Sequence, residues 1–437
     1  MPTQLFFRNI KILFLLAIPA LLISCGASRL PKKIDQEFEK AQAFEHGFAG
    51  LAVYDPEKDQ MLYEYHSDKY FTPASNTKLF TFYTGLQVLG DSIPALKYAN
   101  FNDTLYIQGT GDPSFLNRDL PESKVYNFLK EADNLVYVSP SYTEKFFGPG
   151  WAWDDYNDYY SAERFAFPIY GSLVEFDFND SGKLDKVLPA IFKDSLHYSD
   201  VSENNPLIQR NLENNRFEIS LKNDKVRKWV PIKYSEEVFL KLLSDTLKKP
   251  VRITKQAPKE LNRTLYSISA DSLYKQMLQV SDNFIAEQIL LMVSEKLSDS
   301  LKTRIAINYM KENELKDLPD EPVWRDGSGL SRYNLFTPRS LVALLRKIRE
   351  TVPEDRLFNL LPAGGYSGTI KNYYQAEEPY IFAKTGSLSN NHSLSGYLKT
   401  KSGKTLIFSF MNSNFTIPSA ELKKEMQHIL EMIRDNY

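Results

Sequence analysis

The chain changes texture twice, and that change constrains its fold more than any other feature. GLAVYDPEKDQMLYEY (50–65) reads as two strands around the turn Asp55-Pro56-Glu57. Ser75 to Leu89 then sets Leu79, Phe80, Tyr83, Leu86 and Leu89 at helical spacing, with Gly90 as the stop. From about 97 to 261 this period gives way to short β-like runs and many turn residues, among them TLYIQGTGDPSF, NLVYVSP and RFEISLK. Helical spacing returns around 271–297, 302–314 and 337–350. Three strand-like runs follow, YIFAKTGSL, SLSGYLKT and TLIFSFMN, the last two joined by the hairpin signal Ser402-Gly403-Lys404. A charged amphipathic helix over 418–435 ends the chain, and another is expected at 34–45. Helices flanking a terminal antiparallel meander predict an α+β fold. The expected domain is made of 34–96 and 262–437, split by a β-rich inserted region at 97–261.

Composition removes several classes of function. With 53 Lys+Arg against 55 Asp+Glu, the net charge of −2 offers no basic excess for nucleic acid. The only cysteine, Cys25, can form neither an internal disulfide nor a Cys-based zinc site. The five histidines are scattered without metal-ligand spacing.

Residues 1–24 read as a signal peptide. Arg8 and Lys11 precede an apolar run, Ile12 to Ile23, that is shorter than the about 20 residues a spanning helix needs. Leu22-Ile23-Ser24-Cys25 resembles a bacterial lipobox, in which the cysteine is lipidated and becomes the new N-terminus. The expectation is a lipid anchor at Cys25, a polar tether through residue 33, and a mature chain facing the extracytoplasmic side of the envelope.

Three short motifs stand in order: Ser75-Asn76-Thr77-Lys78, Ser281-Asp282-Asn283 and Lys384-Thr385-Gly386. The first two patterns are weak alone, since Ser272-Leu273-Tyr274-Lys275, Ser202-Glu203-Asn204 and Ser389-Asn390-Asn391 also match. Context separates them. Ser75 follows Pro73-Ala74 and opens a helix, and Lys384 lies on the strand that begins the meander. A serine hydroxyl is a weak nucleophile and needs a base. Lys78, three residues on, shares a helix face with Ser75, and burial or a second cation such as Lys384 can lower its pKa into the working range. Ser281 can relay a proton to a leaving amine, and Asn283 can orient Lys78 or grip a substrate amide. The Ser75 and Ser387 backbone N–H groups are candidate oxyanion donors. The strand from Lys384 can add an extended peptide along its edge. Taken singly, Ser75 reads as a helix cap and Asn283 or Lys384 as a solvated surface residue; the ordered triple carries the catalytic reading.

With these motifs the chain resembles the class C low-molecular-mass penicillin-binding proteins, which are D-alanyl-D-alanine carboxypeptidases/endopeptidases. The likeness extends over nearly the whole chain beyond Cys25, in PASNTKLFT, LYIQGTGDPSF, GPGWAWDDYNDYYSAE, MLQVSDNFIAEQIL, RDGSGLSRYNLFTP, LPAGGYSGTI, AKTGSL and LSGYLKTKSGKTLIFSFMN. It implies a β-lactamase/transpeptidase-like domain with a large insertion between its first two motifs; 206 residues separate Ser75 from Ser281. It implies acylation of Ser75 by peptidoglycan stem peptides and by β-lactams, Lys78 as general base, and Ser281 and Asn283 as the second motif. Lys384, Thr385, Gly386 and Ser387 would form the substrate-carboxylate strand, with no metal or organic cofactor. In this family the insertion can help bind the stem-peptide side chain at a WDD-type stretch, occupied here by Asp154 and Asp155; the same stretch also reads as core aromatics beside a solvated acidic loop. The chain departs from the pattern in Ser387, where Thr is usual, in the asparagine missing after SAERFAFPIYG, and in the absence of a basic residue near Asn372 to Tyr374. A β-lactamase and a non-catalytic wall-binding lipoprotein on the same scaffold remain the alternatives. A Ser-His-Asp hydrolase is disfavoured because no G-x-S-x-G elbow is present.

Overall fold

The terminal meander forms and recruits the first two strands. Ile381–Leu388, Asn391–Lys399, Thr405–Ser413, Phe48–Asp55 and Gln60–Tyr65 lie side by side in that order, every neighbour antiparallel. The computed structural model describes residues 29–122, 124–199, 207–220 and 225–437; the expected signal peptide and Cys25 lie outside them. Every residue of Thr405–Ser413 is buried, because helices cover both faces of the sheet. Alternate side chains divide between those faces. Ala52, Tyr54, Ile407 and Met411 share a core with the helices Thr77–Val88, Ala270–Gln279, Asn283–Ser298 and Pro338–Thr351. Leu51, Val53, Phe408 and Phe410 face Arg29–Lys40 and Ser419–Asn436. Thr77–Val88 is the hub: Thr77 to Gly85 are all buried, so the helix has no solvent face along that length.

Two expected helices are placed differently. The stretch 271–297 is two helices, Ala270–Gln279 and Asn283–Ser298, parted where Ser281 takes φ of +65°. Asp282 starts the second by accepting the Ile285 N–H at 2.9 Å; this cap is a start signal hidden inside an apparently continuous period. The N-terminal helix runs over Arg29–Lys40, with Pro31 in its first turn, and a 3-10 turn at Gln42–Phe44 follows. Residues 29–33 of the expected tether are therefore helical.

The middle block has its own core, with Leu96, Ile107, Phe115, Phe167, Phe176, Phe217 and Phe239 buried together. Its main sheet orders Val251–Thr254, Asn134–Val138, Thr104–Gly109, Ser92–Phe101 and Arg263–Ser269. Two three-stranded sheets and the helices Val125–Glu131 and Glu236–Leu247 complete it. The outgoing strand Ser92–Phe101 and the returning strand Arg263–Ser269 pair with each other, and the Ala270 N–H donates to the Asp91 carbonyl at 2.9 Å. The excursion thus leaves and returns at one point, and its sheet extends beyond both 97 and 261. The change of texture marks where helical spacing is lost, whereas the outgoing strand begins before it, at Ser92, and the returning strand ends after it, at Ser269.

Candidate active site

Ser75 sits on a 3-10 turn, Ala74–Asn76, that leads into the hub helix. Ala74 is held at φ of +48°, a costly conformation for a residue with a Cβ. Two glycines allow other chain segments to close on this elbow. A Cβ on Gly329 would lie 1.9 Å from the Ala74 carbonyl oxygen, and one on Gly386 would lie 2.3 Å from that of Pro73. The Asn76 amide donates to the Lys384 carbonyl at 3.0 Å and fastens the elbow to the strand Ile381–Leu388.

Lys78 is fully buried. Its Nζ contacts Ser75 Oγ at 2.9 Å, Asn283 Oδ1 at 2.6 Å and the Ser328 carbonyl at 2.6 Å. Two of these partners are carbonyl oxygens that only accept. Once Lys78 is neutral its two N–H groups stay on them, and its lone pair is left facing the Ser75 hydroxyl. Burial pushes its pKa down to about 8, against the opposing pull of Asp326, Asp282 and Glu287. The arrangement can serve as a hydroxyl nucleophile with an aimed, partly deprotonated base.

The Ser328 carbonyl belongs to a buried loop that sequence reasoning left without a role. Asp326 organises this loop, accepting from the N–H groups of Gly329 at 3.0 Å and Ser331 at 2.7 Å, from Asn334 Nδ2 at 2.7 Å and from Trp151 Nε1 at 2.9 Å. Buried Glu287 accepts the Ser328 N–H at 2.7 Å and meets Arg164 at 3.4 Å. The signal for this loop was the spacing in Asp326-Gly327-Ser328-Gly329: two glycines flank the carbonyl that faces Lys78, and each packs directly on backbone.

Lys384 forms a second bonded set, donating to Ser281 Oγ at 2.9 Å and to the Thr385 carbonyl at 2.8 Å. It is fully buried and has no carboxylate within ion-pair distance among the described residues. Burial and the charge on Lys78 hold its pKa well below the usual lysine range. Thr385 Oγ1 contacts Thr369 Oγ1 at 2.7 Å, which gives the LPAGGYSGTI stretch its place. Ser387 Oγ meets His392 Nδ1 at 2.8 Å across the adjoining strand. Burial, with help from Lys423 and Lys384, lowers His392 to about 3 and keeps it neutral. Ile381–Leu388 is an edge strand. Its Ile381 carbonyl and Ala383 N–H bond away from the sheet, to Gly364 and Pro362. The alternation of a β-ladder turns the Ser387 N–H the same way, toward the open edge.

Asp154 and Asp155 lie on the exposed 3-10 turn Trp153–Asn157. Asp155 accepts from the Tyr160 hydroxyl at 2.9 Å, and the Tyr160 carbonyl accepts the Asn283 amide at 3.0 Å. Burial, with Asp154 and Asp158 nearby, raises the Asp155 pKa. The Asp154 carboxylate has no hydrogen-bond partner among the described residues. Ser75, Lys78 and Asn283 therefore form one bonded set, Ser281, Lys384 and Thr385 an adjoining one, Asp155 stands one residue removed, and Asp154 is joined to neither. Cys25 lies outside the described residues.

The family model described as the D-Ala-D-Ala carboxypeptidase 3 (S13) family matches residues 30–436. The chain is similar to the D-alanyl-D-alanine carboxypeptidase DacB of Haemophilus influenzae, at 24% identity over 87% of this chain and 88% of the relative. It is also similar to the penicillin-sensitive carboxypeptidase A of Dictyostelium discoideum, at 26% identity over 75% and 74%. Its fold matches the crystal structure of penicillin binding protein 4 (dacB) from Haemophilus influenzae with a TM-score of 0.75 and 19% identity, covering 91% of this chain and 99% of the other. The match spans both the split domain and its insertion, and the chain belongs to the D-Ala-D-Ala carboxypeptidase 3 (S13) family.

Proposed function

We infer that this D-Ala-D-Ala carboxypeptidase/endopeptidase works through an acyl-enzyme on Ser75, and the observation that carries the reading is the threefold coordination of Lys78 Nζ. Neutral Lys78 takes the Ser75 proton as Oγ attacks the carbonyl of the D-Ala–D-Ala bond of a stem peptide. The Ser75 and Ser387 N–H groups stabilise the oxyanion. Collapse breaks the C–N bond, and the proton taken by Lys78 passes by way of Ser281, held by Lys384, to the departing nitrogen, leaving Lys78 neutral again. Water then attacks the ester as Lys78 takes its proton and hands it to the leaving Ser75 Oγ, which restores the enzyme. The substrate's terminal carboxylate lies beside Thr385 and Ser387 and supplies the countercharge Lys384 lacks. Asn283 keeps Lys78 aimed. Gly386 lets the strand approach Ser75, and its free edge pairs with the extended peptide. β-Lactams acylate the same serine. Of the two acidic candidates for the stem side chain, Asp155 is the better supported, through its link to Asn283 by way of Tyr160.

Labelled penicillin and a stem pentapeptide test this directly. Ser75→Ala is expected to abolish both labelling and D-alanine release, and full release by that variant overturns the reading. Label that leaves wild-type enzyme within seconds instead points to a β-lactamase. Attachment to the membrane rests on the lipobox-like Leu22 to Cys25 alone; among the described residues no helix is long and apolar enough to cross a bilayer. Cys25→Ala is expected to move the enzyme from the membrane fraction to the soluble fraction of the envelope. An unchanged distribution rejects the anchor.

A further inference from the structure

A cavity of about 250 Å3 adjoins the site on the Ser281 side, lined by Ser281 and Asn283 together with Asn117, Arg118, Tyr159 and Gln276. We propose that this cavity receives the leaving strand of a crosslinked stem peptide and so determines endopeptidase action. The assignment rests on the acyl-enzyme reading above, because that reading puts the departing nitrogen at Ser281.

The chemistry of the leaving group carries the inference. In acylation the Ser75 Oγ–carbonyl bond forms, the C–N bond breaks, and the Ser75 proton ends on the departing nitrogen. When the bond is D-Ala–D-Ala, a single alanine leaves, and its carboxylate is met by Thr385 and Ser387. When the bond is a crosslink, the nitrogen belongs to a diamino acid that carries a second peptide. That peptide must run outward from Ser281, which lines the cavity. Its amide groups match the side chain of Gln276, whereas Asn117 is held by the Pro113 carbonyl and the Asp119 N–H and shapes the wall. Its carboxylates match Arg118, whose guanidinium lies 4.1 Å above the Trp229 ring and pairs with Asp119 at 3.1 Å. Stacking of this kind fixes the planar donor fork before the ligand arrives. The exposed ring of Tyr159 can cover the methylene chain of the diamino acid.

Two non-glycine residues of the lining also hold left-handed backbone: Tyr170 takes φ of +57° and Ser281 takes +65°. Such conformations gather where a site needs them.

A glycan-free crosslinked stem-peptide dimer and the uncrosslinked pentapeptide are the probes. In Arg118→Gln and in Gln276→Leu, the ratio of kcat/KM on the dimer to kcat/KM on the pentapeptide is expected to fall about tenfold. Penicillin labelling of each variant checks that the Ser75 centre has folded. Equal losses on both probes, or no loss on either, overturn the assignment. A loss that shows only when a disaccharide is attached also overturns it and gives the cavity to the sugar chain. Pentapeptide hydrolysis by Ser75→Ala overturns the acyl-enzyme reading instead, so the two failures are distinct.

Discussion

The two sides of the cleft are built on different principles. On the Ser75 side, backbone touches backbone: Gly329 and Gly386 leave no room for a Cβ against Ala74 and Pro73, and Lys78 spends every contact on a fixed partner. On the side of the Trp153–Asn157 turn, Asp154 stands in solvent, and half-buried Asp155 reaches the centre through Tyr160. Chemistry demands atoms fixed to a fraction of an ångström. Recognition of a flexible peptide side chain tolerates an exposed carboxylate on a surface turn. The contrast predicts intolerance on one side and graded effects on the other.

The severest break should come from Gly329→Ala. A Cβ at φ of +85° and 1.9 Å from a carbonyl oxygen must displace the elbow, costing roughly 3 kcal/mol or more of stability. Penicillin labelling should vanish with it; chemical denaturation and gel labelling measure both, and a fully labelled variant contradicts the fixed-wall picture. Next is the base. In the proposed mechanism Lys78 acts in its neutral form, and burial lowers its pKa to about 8, so acylation should rise about tenfold per pH unit below about 8 and level off above it. A profile flat from pH 6 to 9 contradicts that role. Lys78→Arg should lower acylation by about 10²–10⁴. A smaller effect is expected at His392, which holds the Ser387 hydroxyl. Losing one such bond is worth about 1 kcal/mol, or roughly fivefold in kcat/KM, so His392→Phe should show that loss and His392→Asn less, with labelling stoichiometry retained. On the solvent side, Asp155→Asn should raise KM for a stem peptide bearing a side-chain amine by a few-fold, and Asp154→Asn by less; the reverse order rejects the Tyr160 link. Smallest of all is Arg227→Ala. Its pair with Asp177 is at the surface of the insertion, where solvent and salt screen such pairs almost completely. The melting temperature should barely move, and activity should not change.

The two sides also differed in how far the sequence disclosed them. Ser75, Lys78, Ser281, Asn283 and Lys384 were readable because each chemical role demands a residue type at a set distance from a helix or strand start. Local pattern also exposed the meander, through its strand-like runs and the Ser402-Gly403-Lys404 turn that joins the last two. The Ser328 carbonyl, the Tyr160 carbonyl and the neutral His392 were not readable. A main-chain carbonyl has no letter of its own, and His392 matters only through its pairing with Ser387 across the strands. The break at Ser281 was hidden for a related reason. A single left-handed residue leaves the apolar spacing on either side nearly in phase, so Ala270–Gln279 and Asn283–Ser298 read as one helix.

The central sheet sets an order of events in the making of this enzyme. Phe48–Asp55 takes its place beside Thr405–Ser413, and the Asn76 amide bridges 308 residues to the Lys384 carbonyl. Loops of that length close late, because their entropy is lost before distant contacts compensate. The insertion starts and ends at one point, between Asp91 and Ala270, so it can acquire its own core while the rest of the chain is still being delivered. The nucleophile, its base and the strand that presents substrate meet only after the last strands arrive. Until those strands pair, Ser75 and Lys78 stand apart from Lys384, and the site is not assembled.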